Sequence, residues 1–146
     1  MKIVDFKPEH REEFFKMCSQ FFSSPAVCHE IDQTAMETTF RTALEGSPYM
    51  RGLILTEEEM IIGYLLLSFT YSNEVGGMVV WVEELFLKET YRNKGYGKQV
   101  FSWLKETYKN AKRFRLEVTS ENEGAKRLYQ KIGFVSLPYE QMVIDH

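Results

Sequence analysis

The stretch Trp81–Lys98 constrains the fold of this chain more than any other part of it. It begins with WVEELFL, an apolar run whose aromatic and β-compatible residues are typical of a buried strand. A turn of the form R-x-x-G-x-G follows at Arg92–Gly97, and the pattern then becomes helical. In that order, strand, turn and helix direct backbone N–H groups and the positive end of a helix dipole at one point. Such a point binds a phosphate or pyrophosphate.

The glycines of this turn have a physical reason to be there. Gly95 and Gly97 lack a Cβ atom, so the backbone can bend sharply and approach an anion closely. Arg92, Lys94 and Lys98 add positive charge around the same point. Taken alone, the turn also fits a basic surface turn. It is neither a P-loop nor the dinucleotide fingerprint, because the spacing of the glycines differs from both.

Composition narrows the class of protein further. A chain of 146 residues is long enough for one domain, which we expect to span 1–146. With 44% hydrophobic and 27% charged residues it should be globular and soluble, and a net charge of −3 argues against nucleic acid as a partner. The sequence has neither a membrane-spanning run nor a signal peptide, and Cys18 and Cys28 lack the spacing of a metal site. We therefore expect a cytoplasmic protein without metal, membrane or nucleic acid.

The order of the predicted elements defines a fold class. The predicted strands are Lys2–Phe6, Tyr49–Thr56, Met60–Tyr71, the central strand from Trp81, Lys112–Thr119, Phe134–Leu137 and Tyr139–Ile144. The predicted helices begin at Pro8, at an Asp32 cap, after the glycine turn and at an Asn122 cap. This order predicts an α/β (α+β) fold with a single mixed, mostly antiparallel sheet and helices on both faces.

Two motifs carry a family resemblance. The first is the strand segment Leu85-Phe86-Leu87 followed by R-x-x-G-x-G, and the second is Asn122 at a helix start, then Leu128-Tyr129 and Gly133-Phe134. From about Met60 to Ile144 the chain resembles the GNAT acetyltransferase superfamily. The resemblance implies a splayed central strand pair, acetyl-CoA as co-substrate and a homodimer. The acidic pair before the strand segment is similar to that of the spermidine/spermine and thialysine branch.

The resemblance also implies where acetyl-CoA binds. The cofactor-binding residues carried over in this way are Leu85, Phe86, Leu87, Arg92, Asn93, Lys94, Gly95, Tyr96, Gly97, Lys98 and Asn122. The backbone N–H that stabilises the oxyanion carries over to the strand segment, with Leu87 as its first candidate. For Asn122 a plain helix cap is an alternative, and the residue can serve both purposes.

Transfer of an acetyl group to an amine requires proton transfers. An aliphatic amine with a pKa of about 10.4 is neutral in only about one molecule in a thousand at pH 7, so a base must act. Glu83 matches the acidic position of the polyamine branch, and regular alternation turns Glu84 to the other face unless a bulge intervenes. Tyr129 matches the family's tyrosine acid, which protonates the leaving thiolate, although its spacing beside Leu128 also fits core packing.

The acceptor follows from the distribution of carboxylates. Glu30 and Asp32 lie in the link between the first two helices, a segment that lines the acceptor site in this superfamily. Together with Glu84, they are candidates for holding a cationic substrate, although solvated caps remain the alternative. We therefore expect a small di- or polyamine-like acceptor. The alternatives are a protein lysine or N-terminal amine as acceptor, and an acetyl-CoA-binding module without catalysis.

Overall fold

The computed structural model describes residues 1–146 and contains five strands and four α-helices. The strands are β1 (Lys2–Asp5), β2 (Met50–Glu57), β3 (Met60–Ser72), β4 (Gly77–Leu87) and β5 (Arg113–Leu116). The helices are α1 (Arg11–Phe22), α2 (Gln33–Glu45), α3 (Tyr96–Thr107) and α4 (Glu123–Ile132), with short 3-10 turns at Pro8–His10 and Glu89–Tyr91. The caps predicted for α2 and α4 are confirmed, since the side chains of Asp32 and Asn122 accept bonds from backbone N–H groups.

The five strands form one sheet in the order β1-β2-β3-β4-β5. The first four strands are antiparallel neighbours, and β5 runs parallel to β4, so the predicted mixed sheet is confirmed. Pairing between β4 and β5 covers only Val79–Val82 and Arg113–Leu116. Beyond Val82, β4 continues to Leu87 without a partner on that side. The last two strands of the sheet are therefore splayed, with β5 at the edge of the sheet and not in its centre as the resemblance implies, and a gap opens where they part.

Helices cover both faces of the sheet, as the sequence predicts. On one face α1 and α2 enclose an aromatic cluster built around Phe14, Phe40, Tyr64 and Phe86. On the other face α3 and α4 pack over an aliphatic cluster: Leu53, Leu55, Leu65, Val80 and Leu104 are among its fully buried members. Both clusters share the same strands, and this fixes the helices at defined positions beside the gap.

A β-bulge in β4, just before the gap, changes the face of the sheet to which the following side chains point. Leu67 lies opposite Val82 and Leu66 lies opposite Glu84, so Glu83 is an extra residue in the ladder. Val82 packs in the aliphatic cluster, whereas the side chain of Glu84 reaches Tyr64 in the aromatic cluster. Regular alternation would have placed these two side chains on the same face. The bulge therefore turns Glu84 toward α1.

The two strands predicted at the C-terminus are wrong. Phe134 packs against Phe101 and Tyr129, but Phe134–Leu137 and Tyr139–Ile144 pair with no strand. Residues beyond Phe134 leave large apolar side chains in solvent: Val135 is 84% exposed, Met142 92% and Ile144 89%. The alternating pattern of these residues is compatible with a strand, but a strand also needs a partner, and Pro138 has no N–H to donate to one.

Candidate active site

A groove of about 810 Å³ lies beside the end of β4 that β5 leaves unpaired. Its walls are the end of α1 with Pro25 and Ala26, the β4 segment Leu85–Leu87, the glycine turn and the first turns of α4. Four separate parts of the chain thus meet at one concave surface. Ten of the eleven residues predicted to bind the cofactor line these walls, and the exception is Lys94.

The backbone of β4 is available to a ligand along the groove. The N–H of Lys88 donates to Ile62 O at 2.8 Å, on the β3 side. Because neighbouring residues of a strand direct their N–H groups to opposite sides, the N–H of Leu87 faces the gap. The Leu87 carbonyl oxygen accepts from Arg92 Nε at 2.8 Å, and the Arg92 guanidinium lies 5.5 Å from the centre of the Phe86 ring. Arg92 therefore ties the glycine turn to the strand end.

The glycine turn has the backbone geometry of an anion site. Asn93 and Gly95 both adopt positive φ, 59° and 86°, and Gly95 is the N-cap of α3. No side chain caps α3, in contrast to α2 and α4, so its first N–H groups have no protein acceptor. A Cβ on Gly95 would meet open space, whereas a Cβ on Gly97 would lie 2.7 Å from Leu128 Cδ2. Gly95 thus shapes the turn in front of α3, and Gly97 permits close packing of α3 and α4.

Tyr129 and Asn122 reach the groove from α4. The Tyr129 ring packs between Phe101 and Phe134, with ring centres 5.7 and 5.9 Å away. Burial raises the pKa of the Tyr129 hydroxyl, and no protein group contributes to that shift. The hydroxyl thus stays protonated near neutrality. Asn122 accepts from the Ala125 N–H at 3.2 Å and also lines the groove, so a cap and a cofactor contact are compatible.

The two glutamates of the acidic pair, Glu83 and Glu84, lie in different environments. Glu83 is exposed and accepts a hydrogen bond from the Ser68 hydroxyl. Glu84 is half-buried and accepts a hydrogen bond from the Tyr64 hydroxyl at 2.6 Å. Burial raises the pKa of Glu84 to about 7, with the Tyr64 hydrogen bond opposing the shift and the Glu83 charge adding to it. Sequence reasoning missed Tyr64, which the pattern of an apolar strand gives no reason to single out.

The link between α1 and α2 contributes differently from what the sequence predicts. The carboxylate of Asp32 accepts from the Thr34 N–H at 2.6 Å, which occupies it as a helix cap. Glu30 is exposed, and neither carboxylate lines the groove. The groove wall on this side is formed by Pro25, whose carbonyl accepts from Thr119 Oγ1 at 2.6 Å. Thr119 was not predicted, because nothing in its neighbourhood marks a contact 94 residues away.

The comparison with family models agrees with this geometry. The model of the acetyltransferase (GNAT) family matches residues 9–134. The chain belongs to the GNAT acetyltransferase family. Acetyl-CoA is the acetyl donor of that family, and the uncapped start of α3 and the open edge of β4 are features that fit it.

The GNAT chain is similar in sequence to one characterised acetyltransferase and in fold to several solved structures. The spermine/spermidine N(1)-acetyltransferase of Bacillus subtilis (strain 168) is 32% identical over 92 residues, which cover 59% of this chain and 60% of the relative. The solved structure of a possible acetyltransferase from Clostridium difficile 630 aligns with a TM-score of 0.82 at 17% identity, covering 99% and 97% of the two chains. The structure of AAC(6')-Iy with the bisubstrate analogue CoA-S-monomethyl-acetylneamine aligns at 0.79 with 18% identity and the same coverage. These two structures share the fold.

No group of three or more His, Cys, Asp or Glu side chains is arranged to hold a metal ion. The longest helix has 13 residues, and none of the helices combines the length and apolar character needed to cross a bilayer.

Proposed function

We propose that this chain is an N-acetyltransferase that moves the acetyl group of acetyl-CoA to a primary amine of a small cationic molecule. One observation carries the proposal. The free edge of β4, the uncapped N-terminus of α3 and Tyr129 meet in a single groove. These are the parts that the reaction needs, namely a donor for the oxyanion, a site for the pyrophosphate and an acid for the thiolate.

The roles of the residues follow from this arrangement. One glutamate of the acidic pair removes a proton from the ammonium group, so that the neutral nitrogen can attack the thioester carbonyl. The Leu87 N–H donates to the carbonyl oxygen while negative charge develops on it. Tyr129 gives its proton to the sulfur as the C–S bond breaks. Arg92, Lys98 and the N–H groups at Gly95 hold the pyrophosphate.

A cationic acceptor is favoured by the charges beside the gap. Glu83 is exposed directly after the last paired residue of β4, where it can attract an ammonium group. Glu30 and Asp32 add negative charge on the link, farther from the groove. The name of the Bacillus subtilis relative, a spermine/spermidine acetyltransferase, points to the same class of acceptor.

A comparison of two amines tests the acceptor class. The values of kcat/KM are measured for a diamine and for a monoamine of equal chain length. We expect a higher value for the diamine and a steeper loss of that value with salt, because exposed charges are screened beyond a Debye length of about 8 Å. Glu83→Gln should reduce the difference in kcat/KM between the diamine and the monoamine. Equal values and equal salt responses for the two amines would exclude the cationic acceptor.

The assembly and location of the protein belong to the same proposal. We propose that residues 1–146 form one domain and that two copies pair through the C-terminal segment, whose side chains Val135, Met142, Val143 and Ile144 are all more than four-fifths exposed. Large exposed apolar patches commonly mark interfaces. We place the protein in the cytoplasm, where the exposed thiol of Cys28 would stay reduced. Sedimentation should give a dimer that Val143→Asp weakens, and a monomer for the unchanged chain would contradict the pairing.

A further inference from the structure

Thr119 lies in the segment between β5 and α4 and is bonded to two different parts of the chain. Its carbonyl oxygen accepts from the N–H of Asn122 at 3.1 Å, which holds Thr119 against the residue that caps α4. Its hydroxyl donates to the carbonyl oxygen of Pro25, in the turn that follows α1, at 2.6 Å. Thr119 thus joins the start of α4 to the end of α1.

Both ends of this contact belong to segments that line the groove. On the α1 side the lining residues are Phe21, Ser24, Pro25 and Ala26. On the α4 side they begin with Glu121 and Asn122 and continue along the helix to Tyr129 and Lys131. Thr119 itself is half-buried and is not one of the lining residues. Its hydroxyl can therefore affect a ligand in the groove only through the walls that it joins.

The two partners of the bond are held in place before they meet. The Ser24 hydroxyl donates to Phe21 O at 2.6 Å and accepts from the Ala26 N–H at 3.2 Å, so the turn is bonded on both sides of Pro25. The ring of Pro25 fixes its own φ angle. Thr119 is β-branched, which restricts its χ1 angle and hence the position of its hydroxyl. The bond therefore joins two rigid segments and can define the distance between them.

No other polar contact performs this task. The bond between Thr119 and Pro25 is the one hydrogen bond between residues 23–31 and residues 117–122, and no ion pair joins the two segments. Apolar packing does not replace it, because α1 covers the aromatic cluster on one face of the sheet and α4 covers the aliphatic cluster on the other. The two helices thus have no common core that would fix the distance between their ends at the groove.

We propose that Thr119 is a positioning residue for acetyl-CoA, which fastens the end of α1 to the start of α4 and so sets the width of the groove between them. This inference rests on the proposed function, since it concerns the same groove. The Thr119 bond is outside the reacting atoms and is the same before and during acetyl transfer. Its loss should weaken the binding of the ground state and of the transition state equally.

The first experiment measures binding and needs no activity. The affinity for acetyl-CoA is determined by calorimetry for the unchanged protein, for Thr119→Val, which keeps the shape but removes the hydroxyl, and for Thr119→Ser, which keeps the hydroxyl. We expect Thr119→Val to bind about 3- to 10-fold more weakly, the effect of one hydrogen bond, and Thr119→Ser to stay within about twofold of the unchanged protein. Equal affinities of Thr119→Val and the unchanged protein would overturn the inference.

A matched control uses another threonine with the same kind of bond. The Thr42 hydroxyl on α2 donates to Thr38 O at 2.7 Å, is exposed like the Thr119 contact, and lies outside the groove. Thr42→Val should therefore bind acetyl-CoA as the unchanged protein does. An equal loss of affinity in Thr42→Val would show that the effect does not come from the groove, and would contradict the role of Thr119.

Hydrogen exchange tests the contact itself. In the free protein the backbone amides of residues 26–31 should exchange faster in Thr119→Val than in the unchanged protein, because the link loses its attachment to the start of α4. Thr119→Ser should restore the slower exchange. Identical exchange of these amides in all three proteins would mean that the hydroxyl fastens nothing.

Steady-state kinetics distinguish a positioning role from damage to the fold. Thr119→Val should raise KM for acetyl-CoA by the same factor as the dissociation constant and leave kcat nearly unchanged, whereas a partly unfolded sample would lower kcat and leave KM unchanged. If the unchanged protein binds no acetyl-CoA or releases no thiol with any amine, the proposed function fails. If the unchanged protein is active and Thr119→Val has the same KM, only the role of Thr119 is contradicted.

Discussion

Glu84 keeps a carboxyl group against a cluster of buried, mostly apolar side chains, and this affects stability. Its pKa is about 7 in the folded chain and about 4.5 when it is solvated. Between these two values the folded chain binds more protons than the unfolded chain, so the free energy of unfolding falls as pH rises from 4.5 through 7. Glu84→Gln removes this loss. Relative to the unchanged chain, the variant should gain up to about 3 kcal/mol between pH 5 and pH 8 in chemical denaturation. The same difference at both pH values would contradict the burial of a titrating carboxyl.

Tyr129 packs its ring against Phe101 in the core and also lines the groove. Tyr129→Phe keeps the ring and removes the proton that the thiolate needs. We expect kcat to fall by about 10²-fold or more at saturating substrates, while calorimetry shows almost unchanged affinity for acetyl-CoA. A kcat within about twofold of the unchanged enzyme would leave Tyr129 with a packing role only.

The turn between β4 and α3 is the element at which we propose that the pyrophosphate binds. Gly95→Val places a β-branched side chain at φ 86°, in front of the uncapped helix N-terminus. We expect clearly weaker acetyl-CoA binding by calorimetry. Gly76→Val is a matched control, because Gly76 also has a positive φ and open space around it but lies outside the groove. If the two variants bind acetyl-CoA with equal affinity, the pyrophosphate does not bind at this turn.

The elements differ in how far the sequence predicts them. Periodicity and turn residues locate β2, β3, β4 and the four helices to within a few residues, because each buries its own apolar side. The bulge at Glu83 could not be predicted, since it follows from the register of β4 on β3 and not from the residues of β4 alone. For the same reason the sequence could only name both glutamates of the pair. The unpaired C-terminal segment is the converse case, in which a strand-like pattern has no neighbour to pair with.

The molecule as a whole has two clusters but only one sheet. The aromatic cluster and the aliphatic cluster lie on opposite faces of the same strands, so that neither can be lost without exposing the other. We expect one cooperative transition in denaturant, with coincident curves from tryptophan fluorescence and from far-UV circular dichroism. Two separated transitions would show that 1–146 is not a single folding unit.

The central claim is that the groove carries out acetyl transfer and does not merely bind acetyl-CoA. The most direct measurement is the release of free thiol from acetyl-CoA by the unchanged protein in the presence of a panel of amines, with calorimetry of acetyl-CoA on the same sample. We predict that acetyl-CoA binds, that thiol appears only when an amine is added, and that di- and polyamines give the highest rates. If acetyl-CoA binds but no amine of the panel causes thiol release, the claim of acetyl transfer is contradicted and the protein only binds acetyl-CoA.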